Sequence, residues 1–251
     1  MANIVLALSI KTFNMKILLF ILSFALYCQL ILAQSISKYN YDSSGNEKFI
    51  AKDYLNAIID YTQAIKLDST KYSHYFNRGN VEYQLQNYKS ALIDYTKAIQ
   101  LNPKAAMAYN NRGNTRRYLK DYSGALEDCN KAIKLDSTFS IAYNNRGLAK
   151  SYLVDYVGAL LDYSKAIELH PKDPMPYTNI GNLKARLLDN KGAIEYYNIA
   201  ITLNPIDGYA YLNRARAKFN LQMFDDACMD YKKALELGIT LAKEMIGKFC
   251  K

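Results

Sequence analysis

The side chains that most often perform catalysis or bind metal ions are few in this chain and lie far apart. Hydrolytic and metal sites need several His, Cys, Asp or Glu side chains that converge on one point. The chain has two histidines, His74 and His170, which are widely separated and which we expect on a surface or in a turn. It contains no HExxH, CxxC or GxSxG motif and no Gly-rich phosphate loop. We therefore predict a protein that is not an enzyme and that uses no cofactor or metal.

The cysteines could form a covalent crosslink. Cys28 lies in an apolar segment at the N-terminus, and Cys129 replaces a tyrosine of the second-helix column, where we expect it to be a small core residue. Cys228 and Cys250 lie at similar distances on either side of a turn near Gly238. A hairpin of two helices would bring these two thiols level, and an exported protein permits a disulfide there. The sequence leaves open whether they are bonded.

Asparagine recurs at fixed intervals and offers a different kind of chemistry. A carboxamide carries a donor and an acceptor together, which matches the main chain of an extended peptide. The first series has a spacing of 34 residues, and a second, partial series follows it three residues later. Their members include Asn77, Asn111, Asn145, Asn179 and Asn213, and then Asn80 and Asn114. The alternative is that these amides recur through shared repeat ancestry or bond within the protein.

The spacing of the asparagines belongs to a repeat that covers most of the chain. The string YxNRG begins at Tyr75, Tyr109 and Tyr143, and the pattern extends in both directions. Alanine fills two columns in every unit, beginning at Ala57 and Ala64. Six units result: 38–71, 72–105, 106–139, 140–173, 174–207 and 208–241. Several complete columns at one spacing indicate a stacked repeat architecture.

Each unit has the pattern of two helices joined by a short polar turn. The second helix of the unit 72–105, for example, has apolar residues at helical spacing from Tyr88 to Ile99, and Pro103 follows it. A glycine such as Gly79 recurs in the middle of the first helix, where it costs about 1 kcal/mol relative to alanine. We expect this glycine to lie against an alanine of the second helix, so that the two backbones approach closely.

An arginine and an aspartate recur together. Arg78, Arg112, Arg146 and Arg214 each precede an Asp by sixteen residues, and the unit 174–207 lacks both members of the pair. The joint loss predicts an ion pair between the two helices of a unit.

These columns of aromatic, glycine, alanine and proline residues resemble the tetratricopeptide repeat family, and the resemblance covers about residues 38–241. It implies an all-α fold, a right-handed superhelical solenoid of six helix-turn-helix units. We expect residues 242–251 to form a capping helix. The polar start of the first unit, with Asn40 and Asp42, predicts a frayed first helix there.

The resemblance also implies that the first helices line a concave groove that binds another protein or peptide. The expected groove residues are Asn77, Asn111, Asn145, Asn179, Asn213, Asn80, Asn114, Met107, Met175, Tyr118 and Tyr152. Some family members clamp a C-terminal carboxylate with Lys and Arg. The matching positions here hold Phe76, Asn110, Met107 and Asn145, so we do not expect that clamp.

The first 33 residues differ in composition from the rest. They contain Lys11 and Lys16 and no acidic residue, and residues 17–33 are almost entirely apolar. This arrangement is typical of a signal peptide, and we predict cleavage after Ala33. The alternative is an uncleaved anchor, because the segment approaches the roughly 20 apolar residues that span a bilayer. Both interpretations place residues 34–251 outside the cytoplasm, in the periplasm, on the cell surface or secreted.

The net charge of +9 comes from dispersed Lys and Arg residues, with no run longer than a pair. This distribution indicates a solvated surface with a mild positive bias. Basic charge and tyrosines could hold a single-stranded nucleic acid, but the predicted export and the intermixed acidic residues argue against this alternative. We therefore predict a scaffold that binds a peptide or protein segment, or the same scaffold tethered to a membrane.

Overall fold

The computed structural model describes residues 2–250, with the side chains of residues 15, 17, 19–35 and 40–250. Met1, the first residue of the predicted leader, and Lys251, the last residue of the predicted cap, lie outside the described residues. The side chains of Lys11 and Lys16 in the leader, and of Lys38 at the start of the first repeat, lie outside them as well. All regular structure within residues 2–250 is helical, which confirms the predicted all-α fold. In chain order the helices are α1 (Ala2–Ile50), α2 (Tyr54–Leu67), α3 (Tyr72–Gln84), α4 (Tyr88–Leu101), α5 (Ala106–Tyr118), α6 (Tyr122–Leu135), α7 (Ser140–Tyr152), α8 (Tyr156–Leu169), α9 (Pro174–Arg186), α10 (Asn190–Leu203), α11 (Gly208–Asn220), α12 (Phe224–Glu236) and α13 (Leu241–Phe249).

Consecutive helices pack in pairs within two compact units. The first of these compact units contains α1 to α4, and the second contains α5 to α13. We call these two parts the first unit and the second unit, and each 34-residue segment a repeat. In each pair the first helix packs against the second, and the second packs on the first helix of the next pair within the same unit. The first helices begin 34 residues apart, at Tyr72, Ala106, Ser140, Pro174 and Gly208.

In four repeats the glycine in the middle of the first helix lies against a tyrosine ring of the second helix. A Cβ added to Gly79 would lie 2.9 Å from Cε1 of Tyr95, and one added to Gly147 would lie 2.6 Å from Cε1 of Tyr163. In these repeats the atoms nearest to the added Cβ belong to the tyrosine of the second helix and not to the expected alanine. At Gly113 the nearest atoms belong to the backbone of Ala125 and to two side chains of α6.

Cys129 occupies the tyrosine position beside Gly113 and is fully buried, as its small apolar side chain predicts. Burial raises the pKa of its thiol to about 12. A thiol with a raised pKa is protonated at neutral pH, which suits a packing role for Cys129.

The turns inside the pairs use left-handed backbone at residues other than glycine. Gln86 has φ of 61°, and the N–H of Asn87 donates to the carbonyl of Glu82 at 2.8 Å. This arrangement closes the end of α3 by binding carbonyl groups that the helix leaves without partners. The same positive φ occurs at Lys52, Lys120, Val154, Leu188 and Gln222. Several second helices then start on an aspartate cap, as where Asp121 accepts from the N–H of Gly124 at 2.9 Å.

The first repeat begins inside a long helix. Helix α1 continues through its polar residues to Ile50, so the expectation of a frayed first helix is wrong. Packing on α2 explains why this polar segment is helical, since Gly45 lies against the ring of Tyr61 and Lys48 forms a 2.6 Å ion pair with Asp60 on α2. The part of α1 from Leu19 to Ile50 is long and apolar enough to cross a membrane, and the side chains described between residues 19 and 35 are exposed.

His74 is buried and does not lie on a surface or in a turn, so that expectation is wrong. Its Nε2 lies 2.9 Å from Oδ2 of Asp42 on α1, and its Nδ1 lies 3.1 Å from the carbonyl oxygen of Asp68. Lys71 also donates to Oδ2 of Asp42, at 2.5 Å. The contact between residues 42 and 74 joins α1 to α3, and no local pattern in the sequence indicates it.

Helix α13 follows the last pair and covers α12. Ala242 is fully buried, and Met245 and Ile246 pack against the core that contains Tyr231. Cys228 on α12 and Cys250 after α13 form a disulfide, with their Cα atoms 5.6 Å apart. The turn at Gly238 has φ of 90°, a value that favours glycine.

Candidate peptide-binding face

The first helices of the second unit form one continuous face. Helix α5 contacts α7, α7 contacts α9 and α9 contacts α11, whereas the main contacts of α6, α8 and α10 are with first helices. Four positions on each first helix, spaced by four, three and four residues, lie along one stripe. We call these four stripes the first-helix face. They are Met107, Asn111, Asn114 and Tyr118; Ile141, Asn145, Leu148 and Tyr152; Met175, Asn179, Asn182 and Arg186; and Tyr209, Asn213, Arg216 and Asn220.

The first row of this face consists of large apolar side chains that are open to solvent. Met107 is 59 % exposed, Ile141 49 %, Met175 56 % and Tyr209 62 %. Such side chains at one-repeat spacing supply a broken apolar strip, and methionine adapts well to different partners.

The asparagine row bonds within the protein. Asn145 is buried and donates to Oδ1 of Asn110 at 2.9 Å, and Asn179 donates to Oδ1 of Asn144 at 2.8 Å. In the first unit, Asn77 donates to Oδ1 of Asn46 at 3.3 Å. These hydrogen bonds agree with the alternative that the asparagines bond within the protein. Each of them uses one N–H donor of its amide group. Contact of the remaining amide groups with a peptide stays a prediction.

At the next position of the stripe, an asparagine accepts a hydrogen bond from a buried tyrosine in three repeats. Tyr61 donates to Asn46 at 2.7 Å, and Tyr197 donates to Asn182 at 2.8 Å. The tyrosine of the last repeat, Tyr231, has Arg216 at the position of that asparagine. A guanidinium accepts no hydrogen bond, and the buried hydroxyl of Tyr231 has no partner among residues 2–250.

Three aspartates of the second helices each neutralise two cations of the first helices. Arg112 places Nε and Nη2 at 2.9 and 2.7 Å from the two carboxylate oxygens of Asp128, and the equivalent arginines do the same in two further pairs. A second cation follows one turn later, as where Lys150 lies 2.8 Å from Asp162. These contacts confirm the predicted Arg–Asp ion pairs. The clusters are Asp128 with Arg112 and Arg116, Asp162 with Arg146 and Lys150, and Asp230 with Arg214 and Lys218.

Three further arginines on these helices have no carboxylate partner within the described part of the chain. They are Arg117, Arg186 and Arg216. Arg117 donates to Oδ1 of Asn114 and lies 4.1 Å from the ring centroid of Tyr118. Arg186 lies 5.9 Å from the ring centroid of Tyr152, and that ring stacks on Tyr122 at 4.5 Å. The sequences of α5, α7, α9 and α11 contain no Asp or Glu, so nothing on these helices offsets the three charges.

Two cavities lie beside two of these arginines, Arg186 and Arg216. The larger, of about 250 Å³, lies between α9 and α11. The smaller, of about 90 Å³, lies between α7 and α9. Arg216, Asn213 and Asn220 border the larger cavity, Arg186 and Tyr152 border the smaller one, and Asn182 borders both.

The described residues contain no group of three or more His, Cys, Asp or Glu side chains placed to hold a metal ion. The polar groups of the first-helix face are carboxamides, hydroxyls and guanidinium groups, which bind by hydrogen bonds and charge. This set of side chains suits recognition.

Sequence comparison agrees with the paired helices. Models of the tetratricopeptide repeat match residues 106–139 and 208–237, and a further model of this repeat matches residues 79–116. The chain is a tetratricopeptide repeat protein. Proteins of this family generally serve as non-enzymatic scaffolds that bind other proteins or peptides. No curated protein sequence matches this tetratricopeptide repeat chain.

Solved structures share the fold at low sequence identity. A structure of pilF from Pseudomonas aeruginosa has a TM-score of 0.69 and 17 % identity, over 86 % of this chain and 99 % of the other. A tetratricopeptide repeat protein from Parabacteroides merdae has a TM-score of 0.62 and 19 % identity, over 86 % and 99 %. The Cut9–Hcn1 hetero-tetramer of APC/C gives a TM-score of 0.77 at 15 % identity, and this chain covers 43 % of the matched chain. Similarity at this level shows the fold alone.

Proposed function

We propose that this protein is an interaction scaffold that binds a segment of another polypeptide on its first-helix face, outside the cytoplasm. The observation that carries the proposal is the row of Met107, Ile141, Met175 and Tyr209, which leaves large apolar side chains exposed at the same position of four successive repeats. Solvent-exposed apolar side chains that form a regular row mark a binding surface more often than scattered ones do.

The asparagine pattern refines the expected mode of binding. The amides of Asn145 and Asn179 bond to neighbouring asparagines, so their first role is to hold adjacent first helices in register. An extended or helical segment would therefore contact mainly the apolar row and the groups beside the two cavities. Replacing Asn111 and Asn145 would disturb packing as well as binding, so these residues are poor choices for a binding test.

Site-specific photocrosslinking in living cells tests the proposal. The crosslinking residue p-benzoylphenylalanine replaces Tyr209 on α11 in one variant and Met229 on α12 in its matched control. The two positions are 62 % and 60 % exposed and lie in the same repeat, one on each helix. We expect a discrete crosslinked polypeptide from position 209 and none from position 229. Equal crosslinking at both positions, or none at 209, would contradict the proposal.

Export is the second part of the proposal, with a membrane-tethered form as its alternative. Two observations support an N-terminal membrane segment: the apolar composition of residues 17–33 and the exposed, unbroken helix that contains them. The N-terminal sequence of the protein purified from cells distinguishes the forms. A first residue of Gln34 indicates cleavage, whereas retention of residues 17–33 with recovery in the membrane fraction indicates the tether. A protein that keeps this segment and fractionates with the cytoplasm would contradict both.

A further inference from the structure

We propose that the first-helix face selects an acidic peptide segment, and that Arg216 binds the side-chain carboxylate of an Asp or Glu in the cavity between α9 and α11. This inference rests on the proposed function, because it specifies the chemistry of the polypeptide that the face binds. It differs from the clamp for a C-terminal carboxylate, since it concerns acidic side chains within a segment.

Charge complementarity is the first support. The four first helices of the second unit contain no acidic residue, and three aspartates of the second helices, Asp128, Asp162 and Asp230, each serve two cations already. Arg117, Arg186 and Arg216 remain without a carboxylate in the region that the structure describes. A partner with interspersed acidic residues would supply the missing counter-charges.

The donors around the larger cavity are the second support. Oδ1 of Asn182 accepts from Tyr197 and from Asn213, which directs the amide nitrogen of Asn182 away from these two groups. That nitrogen has no acceptor among the described residues, and Asn182 borders the same cavity as Arg216. A carboxylate accepts several hydrogen bonds and donates none, and arginine matches its geometry with two parallel bonds.

The cost of Arg216 to the fold is the third support. Asparagine at this position accepts a hydrogen bond from the hydroxyl of a buried tyrosine in three other repeats, as in the Tyr95–Asn80 contact of 2.8 Å. Arg216 leaves the hydroxyl of Tyr231 without an acceptor in the described chain, which packing alone does not explain. An unsatisfied buried hydroxyl beside a binding surface is typical of a position chosen for function.

The same face could attract a nucleic acid, but the observations favour a peptide. A single strand carries one phosphate per nucleotide and binds to grooves in which cations follow the backbone. Here Arg186 and Arg216 lie among carboxamides and apolar side chains, and Arg117 contacts Asn114 at the edge of the face. This mixture suits a chain that combines acidic, polar and apolar residues.

Peptide selection tests the inference. The full-length chain, held in mild detergent, is immobilised and exposed to short random peptides displayed at the N-terminus of a phage coat protein, so that no peptide has a free C-terminal carboxylate. We expect the selected peptides to be enriched in Asp and Glu. A selected peptide in which Asn and Gln replace Asp and Glu should bind roughly tenfold or more weakly, because charge-assisted hydrogen bonds are lost.

A pair of charge-matched variants locates the binding group. Arg216→Gln should weaken a selected acidic peptide by roughly tenfold, whereas Lys243→Gln on α13, which removes the same charge elsewhere, should leave its affinity unchanged. Circular dichroism shows whether both variants keep the helical fold. Arg216 is exposed, so we expect it to be dispensable for folding.

The outcomes separate the two proposals. Selection of peptides without acidic enrichment overturns the acidic specificity and leaves peptide binding standing. Failure to select any peptide overturns both. Equal weakening by Arg216→Gln and Lys243→Gln overturns the assignment to the cavity. Displacement of the acidic peptide by equimolar single-stranded oligodeoxythymidine, bound more tightly than the peptide, assigns the face to nucleic acid and overturns the inference.

Discussion

Arg78 holds Asp94 by two parallel hydrogen bonds, with Nε 2.8 Å from Oδ2 and Nη2 2.7 Å from Oδ1. Asp94 is 3 % exposed, so the loss of the guanidinium alone would leave a buried carboxylate without its counter-ion. We expect Arg78→Leu to lower the free energy of unfolding by about 3–5 kcal/mol. The double variant Arg78→Leu, Asp94→Leu should lose less, because it buries no unpaired charge. Urea unfolding of the two variants measures the difference.

The equivalent pair in another repeat provides a matched control. Asp162 contacts Lys150 at 2.8 Å as well as Arg146, whereas the position equivalent to Lys150 in the repeat of Arg78 is Glu82. Arg146→Leu should therefore destabilise the protein less than Arg78→Leu does. If the single and double variants at Arg78 unfold at the same urea concentration, the loss of a counter-ion for buried Asp94 is not what destabilises the single variant.

The repeat made these ion pairs predictable from the sequence. Arg and Asp disappear together at Ile180 and Tyr196, and a joint loss at fixed spacing indicates contact. The alanine columns likewise predict where helices meet, because only small side chains permit close approach. A comparison of the repeats with one another reveals such contacts, but it cannot predict a contact that occurs only once in the chain.

The contact of His74 with Asp42 is such a single event. It joins residues 32 positions apart, and no second copy in the chain indicates it. The ring contacts of Gly79 and Gly147 are also not predictable from the repeat, because both alanine and tyrosine recur at the same spacing and only the packed side chains decide between them. The cavities beside Arg186 and Arg216 depend on the relative rotation of neighbouring helices, which periodicity does not specify.

The disulfide between Cys228 and Cys250 should stabilise the capping helix. The bond closes a loop with a sequence separation of 22 residues, for which the loss of chain entropy in the unfolded state corresponds to about 3 kcal/mol. We expect Cys228→Ser, Cys250→Ser to lower the melting temperature and to speed hydrogen exchange in α13 first. Intact-mass measurement before and after reduction checks the bond itself. Unchanged exchange in α13 would show that packing of Ala242 and its neighbours holds the cap without the bond.

Alkaline pH should unfold the first unit. Burial is the main cause that raises the pKa of Tyr61 to about 12, and nearby Asp42 and Asp60 add to the effect. The unfolded state, with a tyrosine pKa of about 10, releases this proton first as the pH rises. Stability from this group is therefore complete below pH of about 10 and declines towards pH of about 12. Far-ultraviolet circular dichroism and tyrosinate absorbance should change together over that interval.

Tyr61→Phe provides the control for the alkaline transition, because phenylalanine fills the same space without an ionisable group. The variant should lose less stability than the parent between neutral and alkaline pH, although Tyr163, Tyr197 and Tyr231 also have raised pKa values and titrate in both proteins. An identical pH dependence of the two proteins would show that Tyr61 does not contribute.

Arg216→Asn should strengthen the fold and weaken binding of acidic peptides. Asparagine restores at position 216 the acceptor that Asn182 offers to Tyr197, so the buried hydroxyl of Tyr231 gains a partner. An unsatisfied buried polar group costs about 1–3 kcal/mol, and we expect a gain towards the lower end of that range. Thermal unfolding of the variant measures the gain, and Arg216→Gln is the comparison because its longer side chain places the amide differently. If Arg216→Asn melts at or below the melting temperature of the parent protein, the missing acceptor does not limit the stability of the last repeat. A higher melting temperature together with lost affinity for acidic peptides would show that this arginine trades stability for recognition.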